Sequence, residues 1–337
     1  MTLSPKSILI TGAAGYIGAM LADQFSRLPE VVTVVAVDML PCPEFLKGNK
    51  KIVWLQGEIT QSDWAAIAKM HQPETIIHCA WQIKELYGKR GLQRRLNIEA
   101  SRKVFQFALG EPYVRKLIHF STISSYGASA ENILERRFVE DDPLKENEYL
   151  YGMEKKEAEE ILRKMYDESD KSRQIFVVRP TSVTGPRGRY GAGKKGLLHM
   201  LQNVLPVVPR GGKSWCRQYV HEDDLTDLVG LLTFTEINGG RGYDVLNAAP
   251  EDIVLASDMA QVFEKKILPV NKFFVRAAFA AAGHFTRGRI PTGRGGWKFF
   301  CYPLVVSGVK VAQKYGFRYK FSSLDALSQD GGRYAGR

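Results

Sequence analysis

Six short runs rich in β-branched residues are spaced along the first half of the chain, with helix-length segments between them. The runs are SILIT (7–11), VVTVVAVD (31–38), KIVWLQ (51–56), TIIHCA (75–80), KLIHFST (116–122) and QIFVVRP (174–180). Most are apolar on nearly every residue, so the sheet they form must be covered on both faces. Amphipathic segments such as NIEASRKVFQFAL (97–109) are the covers. This pattern predicts a doubly wound α/β fold built on a parallel sheet. After GPRGRYGAGKKG (185–196), which reads as a mobile loop, the pattern loosens. YDVLNAA (243–249) is the last clear strand and is expected to return to the main sheet. The expected division is a nucleotide-binding domain over residues 1–180, with 218–250 returning to it. A smaller, mostly helical substrate lobe takes 181–217 and 251–337, with a ligand cleft between the two. The tail QDGGRYAGR (329–337) reads as frayed.

Composition narrows the class. A hydrophobic content of 45% and a charged content of 25% are those of a soluble globular protein. Cys42, Cys79, Cys216 and Cys301 are far apart and show neither CxxC nor Cys/His spacing, so reduced thiols are expected and no metal site. A strand pattern begins almost at once, leaving no room for a signal peptide. The longest apolar stretch, FFVRAAFAAAGHF (273–285), is too short to cross a bilayer. A cytoplasmic location without a transmembrane segment is therefore expected. The net charge is +11, and no Asp or Glu occurs from Lys265 to Leu324. That span holds twelve Lys and Arg residues, more than the whole surplus, so the remainder is nearly neutral. Such a region suits an anionic ligand, a nucleic acid or an acidic membrane, or is simply a solvated face.

SILITGAAGYIGAML sets Gly12, Gly15 and Gly18 directly after the first strand and at the start of a helix. Glycine keeps the turn tight, lets backbone approach a pyrophosphate and lets the helix pack on the sheet. The backbone around Ala14, Tyr16 and Ile17 then presents free N–H groups and the positive end of the helix dipole to phosphates. Asp38 ends the second strand, where an acidic side chain accepts from both ribose hydroxyls and repels a 2′-phosphate. The expected fold is therefore Rossmann-type and the expected cofactor is NAD. Further on, YLYGMEKKEAEE (149–160) sets Tyr151 and Lys155 four residues apart, on one helix face. Tyr149 has Met153 at that distance, and Lys156 has Gly152, so one pair satisfies the spacing. A free tyrosine titrates near 10 and is a poor base at neutral pH. An adjacent ammonium is expected to lower it into a useful range.

The GxxGxxG spacing and the segments that follow it resemble the extended short-chain dehydrogenase/reductase family, which includes nucleotide-sugar epimerases and dehydratases. The resemblance runs closely over residues 7–250. GEIT (57–60) is similar to an element that faces the adenine, which implies cofactor contacts from Glu58 and Ile59. IIHCAW (76–81) resembles the strand end beneath the cofactor, implying Cys79, Ala80 and Trp81; Asn97 heads a helix as in the family. In HFSTISSYG (119–127), counting back five residues from Gly127 implies Thr122 as the group that polarises the reacting oxygen. Ser121 lies beside the cofactor in this likeness, and Ser124 and Ser125 are lesser candidates for polarising the substrate oxygen. Dehydratases of the family carry Asp-Glu after that threonine, where this chain has Ile123 and Ser124, which disfavours water loss. Arg179 and Pro180 are implied near the cofactor and Ser182 near the substrate. CRQYVHEDDL (216–225) resembles a segment whose arginine, here Arg217, faces a substrate diphosphate. The bland alternative for Arg217 is an ion pair with Glu222 or Asp223. Arg294 is a candidate second phosphate contact. The family likeness also implies a homodimer.

Three functions compete. The first is an NAD-dependent epimerase of a nucleotide-diphosphate sugar, with Thr122, Tyr151 and Lys155 catalytic and no nucleic-acid partner. The second is a dehydrogenase of a hydroxysteroid-like or other apolar alcohol, suggested by Arg179–Pro180, Trp81 and the apolar 273–285 segment. The third is a non-catalytic protein whose basic C-terminal region contacts RNA or a membrane.

Overall fold

In a computed structural model, residues 6–188, 197–236, 239–287 and 293–335 are described. Most of the loop expected to be mobile, residues 189–196, lies outside them. The runs form β1 (Lys6–Thr11), β2 (Val31–Asp38), β3 (Ile52–Gln56), β4 (Thr75–His78), β5 (Lys116–Phe120) and β6 (Gln174–Pro180). With β7 (Gly242–Ala248) they make one parallel sheet in the order β7-β6-β5-β4-β1-β2-β3. This is a Rossmann-type α/β fold. Strand order reverses beside β1, which pairs with β2 on one side and β4 on the other. The register sets Thr11 against both Val37 and His78, so the strand ends align and a crevice opens above them.

Why these runs are apolar on both sides is visible in the packing. Ile8, Ile10, Val34, Ala36, Ile118 and Phe176 point to one face, where Leu21 and Phe25 of α1 (Tyr16–Ser26) cover them. Leu9, Val35, Val37, Leu117 and Val177 point to the other. That face is covered by α2 (Trp64–His71), α3 (Ala100–Gly110) and α4 (Leu150–Glu168), through Trp64, Phe105 and Leu162 among others. Leu225, Leu228 and Leu232 of α5 (Glu222–Phe234) complete the first layer.

A separate cluster holds the later segments together: Val208, Trp215, Met259, Phe300, Cys301 and Leu327. It includes Val275 of α6 (Lys272–Phe285). The tail differs from expectation. Tyr334 is buried and donates to Asp23 at 2.9 Å, and Arg333 pairs with Asp227, so two side chains lock the segment onto α1 and α5. The basic region is likewise less bare than its composition suggests. Lys310 and Lys314 bridge to Asp244 at 2.7 and 2.8 Å, Lys298 to Glu148 at 2.9 Å and Lys320 to Asp227 at 2.8 Å. Among the described residues no helix is long and apolar enough to cross a membrane.

Candidate active site

The turn after β1 is built for close approach. Gly12 has φ +73°, and a Cβ there would lie 2.5 Å from the Ala80 nitrogen. Glycine is therefore required both for the backbone angle and for the contact with the end of β4. Gly15 is the N-cap of α1 and supplies no capping side chain, so the first N–H groups of the helix remain for a ligand. Asp38 braces the turn: Ala14 N–H and Leu40 N–H each donate to one of its oxygens at 2.9 Å. Asp38 borders a cavity of about 300 Å³ with Gly12, Gly15, Gly57, Ile59 and Ala80. Tight glycines, a free helix N-terminus and a carboxylate at the strand end fit the pyrophosphate and adenosine ribose of a dinucleotide.

A second cavity of about 390 Å³ adjoins it, sharing Gly12, Gly15, Cys79 and Trp81. Tyr16, Ile17, Gly18, Ser121, Thr122, Ser124, Tyr151, Lys155, Pro180, Ser182 and Arg217 all line this second space. The sequence scatters them over two hundred positions; the strand ends bring them together. Glu146 fixes the entry of α4 by accepting from Asn147, Glu148 and Tyr149 N–H at 3.0, 2.8 and 2.8 Å. Gly152 lets the helix touch the 122–126 turn, since a Cβ there would stand 2.9 Å from the Ser124 carbonyl oxygen. Ser125 donates to the Gly152 carbonyl at 3.1 Å and ties the two segments.

Thr122 stands beside Tyr151, and its hydroxyl lowers the phenol's pKa. Thr122 Oγ1 also accepts from Ser124 N–H at 3.2 Å. The expected acidifying contact from Lys155 is not the one observed. Burial pushes the Tyr151 phenol above its ordinary value, and the Thr122 hydroxyl offsets only part of that. Lys155 instead donates to the Phe120 carbonyl, with its amine 3.7 Å from the centre of the Trp81 ring. Burial pushes this lysine down to about 7, against weaker opposing effects of Cys79 and Glu159. The helix spacing thus brings both groups to one cavity but does not pair them.

The lysine shift has a measurable consequence. The native chain sheds the Lys155 proton near pH 7, whereas the unfolded chain keeps it to about 10.4. Between these values the unfolded state binds more protons, so this group makes stability rise with pH and withdraws that gain as pH falls through 7. Lys116, buried among the carbonyls of Leu232, Thr233 and Thr235, is also pushed down to about 7 and acts in the same direction. Urea melts of wild type and Lys155→Met between pH 7 and 9.5 isolate the first contribution. The variant should show the shallower slope; identical slopes would contradict the buried-amine account.

Several implied cofactor contacts have other employment. Asn97, in a π-turn at Arg95–Glu99, accepts from Gln82 N–H at 2.7 Å and donates to Glu154 at 2.6 Å. It holds the loop after β4 against α4 and lines neither cavity. Arg179 is also absent from both: it forks onto Glu159 at 2.6 Å and donates to Tyr126 at 2.7 Å. Ser121 lines the cavity, but its hydroxyl donates to Glu159. Glu58 lines the adenosine side, yet Arg95 grips both its oxygens at 2.9 and 3.2 Å, so an adenine contact competes with that pair. Arg294 is a clearer correction. It is exposed and lines a different cavity, with Arg276, Phe279 and Trp297, that does not include Tyr151.

Arg217 makes no salt bridge among the described residues. Glu222 accepts instead from Tyr16 and from the N–H groups of Arg187 and Gly188, at 2.9 and 3.0 Å for the latter two. Asp223 accepts from Arg333 N–H at 2.8 Å. The guanidinium lies beside the stacked rings of Trp215 and Phe300, 5.7 and 5.5 Å from their centres. Its Nη2 is shielded from solvent and has no hydrogen-bond partner. Burial pulls its pKa below the ordinary value. Phe299, Tyr302 and Leu304 close the same cavity, a contribution that no motif announced. Tyr149 packs between Tyr151 and Phe299 at ring distances of 5.9 and 5.3 Å, a wall rather than a second acid.

Comparison with known proteins gives the same outline. The model of the family described as NAD dependent epimerase/dehydratase matches residues 8–249. An uncharacterized protein of Mycobacterium tuberculosis is 22% identical over 334 residues, covering 96% of this chain and 82% of the relative. The UDP-glucose 4-epimerase of Vibrio cholerae is 24% identical over 230 residues, 67% of this chain and 66% of that enzyme. Among solved structures, the UDP-glucose 4-epimerase of Thermotoga maritima with UDP-glucose superposes with a TM-score of 0.71. Its identity is 21%, over 96% of each chain.

Proposed function

Because this chain belongs to the NAD-dependent epimerase/dehydratase family, we propose that it epimerises a nucleotide-diphosphate sugar, with Tyr151 moving the proton and Arg217 gripping the diphosphate. The observation that carries this reading is Arg217. A shielded guanidinium without a carboxylate, facing the cavity that holds Tyr151, Thr122 and Lys155, calls for an anionic ligand. A diphosphate meets the planar fork with two parallel bonds.

The backbone at Gly12–Gly18 would hold the pyrophosphate of NAD, and Asp38 the adenosine ribose. When bound, NAD would supply the hydride acceptor and donor of the reaction. Thr122 donates to the reacting sugar oxygen, while Tyr151 removes the hydroxyl proton and later restores it. Lys155 keeps a polar amine at the cavity floor, where it can bond ribose hydroxyls. No Asp or Glu is among the described residues lining this cavity. Water elimination needs a second acid–base group, so the lining favours epimerisation over dehydration.

The apolar-alcohol reading keeps Trp81 but loses its other supports. Arg179 is turned into an ion pair, and the 273–285 segment does not line the cavity. The test separates net oxidation from its absence. Denatured, freshly purified protein should release near-stoichiometric NAD(H). UDP-hexoses should then be screened for an epimer formed without net change in nicotinamide absorbance. Stoichiometric reduction of added NAD would replace this reading with a dehydrogenase.

A further inference from the structure

A second charged cleft lies at the other end of the main sheet. The catalytic cavity sits at the C-terminal ends of the strands; this cleft, of about 270 Å³, sits where β1, β5 and β6 begin. Lys6, Arg115, Lys116, Arg173, Gln174 and Arg241 line it, and none of them borders the catalytic or the adenosine-side cavity. Lys116 is spent on structure, since its amine donates to the carbonyls of Leu232, Thr233 and Thr235 at 2.7, 2.7 and 2.6 Å. The other four cations outnumber the two carboxylates of the lining, Glu74 and Glu236. Lys6, Arg115 and Arg241 enter no salt bridge among the described residues, and Arg173 reaches Asp170 only at 4.0 Å. Gln174 is 1% exposed, and its side-chain oxygen and nitrogen are both shielded from solvent without a hydrogen-bond partner among the described residues. The Nε of Arg173 is likewise shielded and unpartnered, its outer nitrogens being taken by the Ser172 hydroxyl and the Glu111 carbonyl. Shielded polar atoms of this kind are a standing cost in a folded chain until a ligand meets them.

We propose that this cleft binds hydrogen phosphate, with the Gln174 amide N–H and the Arg173 Nε–H donating to phosphate oxygens, the Gln174 carbonyl accepting the phosphate O–H, and Lys6, Arg115 and Arg241 balancing the charge. The donor set selects the ligand. Cations that share one cleft repel one another, and shielded N–H groups need acceptors, so an anion answers both. The Gln174 carbonyl needs the reverse, a donor, because an amide side chain carries donor and acceptor together. Sulfate and carboxylates, ionised at neutral pH, offer acceptors alone. A phosphomonoester sheds its last proton with a pKa of about 6, whereas inorganic phosphate still carries an O–H at pH 7.5. Water would satisfy the amide but leave the charge uncompensated. The space equals that of about nine liquid water molecules and admits the ion with part of its hydration. The site stands apart from the reaction proposed above and does not rest on it.

Calorimetry on the full chain at pH 7.5, in buffer free of phosphate, compares sodium phosphate, sodium sulfate and glycerol 3-phosphate. Phosphate should bind about tenfold or more tightly than either of the others, since a site built around an O–H rejects the analogue that lacks it. Arg115→Glu with Arg241→Glu should weaken phosphate binding by about tenfold or more. Both positions are exposed, so the circular dichroism and melting curve of that variant should match wild type. Gln174→Leu removes the unpartnered amide at similar volume; it should melt no lower than wild type and bind phosphate no better than sulfate. Arg217→Met, which alters the catalytic cavity, should leave the phosphate isotherm unchanged. Absence of phosphate binding at millimolar concentration would overturn the proposal, as would sulfate or glycerol 3-phosphate binding as well as phosphate. So would an isotherm lost in Arg217→Met and kept in the Arg115/Arg241 variant, which would put the ion beside Tyr151 instead.

Discussion

Tyr151→Phe is expected to lower turnover by about 10³-fold, in the middle of the span that a positioned acid–base group supplies. KM and the content of co-purified NAD(H) should stay near wild type. The substitution removes one oxygen and keeps the ring. The packing on Tyr149, with ring centres 5.9 Å apart, survives, and so does the cavity wall it forms. What disappears is the hydroxyl beside Thr122 and the proton it carries. The loss should therefore fall on kcat rather than on binding. Steady-state kinetics on the substrate found in the UDP-hexose screen, with nicotinamide content measured in the same preparation, makes the comparison. A variant within tenfold of wild type would remove Tyr151 from the mechanism.

Arg217→Met should separate binding from stability, in opposite directions. Removing a charge that grips a diphosphate in a shielded site costs about 2 kcal/mol or more, roughly 30-fold in affinity. Without substrate the balance differs. The side chain loses cation–π contact with Trp215 and Phe300, about 0.5–1 kcal/mol, but the chain no longer carries a shielded, unpartnered N–H, which costs about 1–3 kcal/mol. The ligand-free variant should therefore be as stable as wild type or more so, by about 1 kcal/mol, in urea melts. Calorimetry with UDP and with a UDP-hexose supplies the binding arm. Unchanged affinity would show that Arg217 does not meet the diphosphate; a large loss of stability would show that it holds the lobe together instead. Arg217→Lys should fall between, since it keeps the charge and loses the fork.

Much of the site was legible because its logic is local. The glycines of TGAAGYIG answer to a single turn, and Asp38 to the end of the adjacent strand. Tyr151 and Lys155 share a cavity because four residues make about one helical turn. The departures from expectation have a common cause. Asn97 and Arg179 belong to segments of the right shape, but Glu154 and Glu159 on α4 capture their polar atoms. A carboxylate 20 to 57 residues away leaves no trace in the local pattern that would reveal which way a side chain turns. Arg294 failed for the same reason: charge composition places a cation in a region, not in a cavity.

Backbone period and residue type were enough to establish a parallel sheet covered on both faces, the phosphate turn, and the spacing of the phenol and the amine. These follow from repeats of two and 3.6 residues and from the freedom of glycine, which every chain obeys alike. Folding alone decided that Lys155 rests on Trp81 rather than beside Tyr151, and that Arg217 faces the cavity without a carboxylate. It also decided that Phe299 and Tyr302 close the pocket and that α6 turns its phenylalanines outward. Such outcomes depend on which distant groups compete for the same contact, and that competition is settled only when the elements pack.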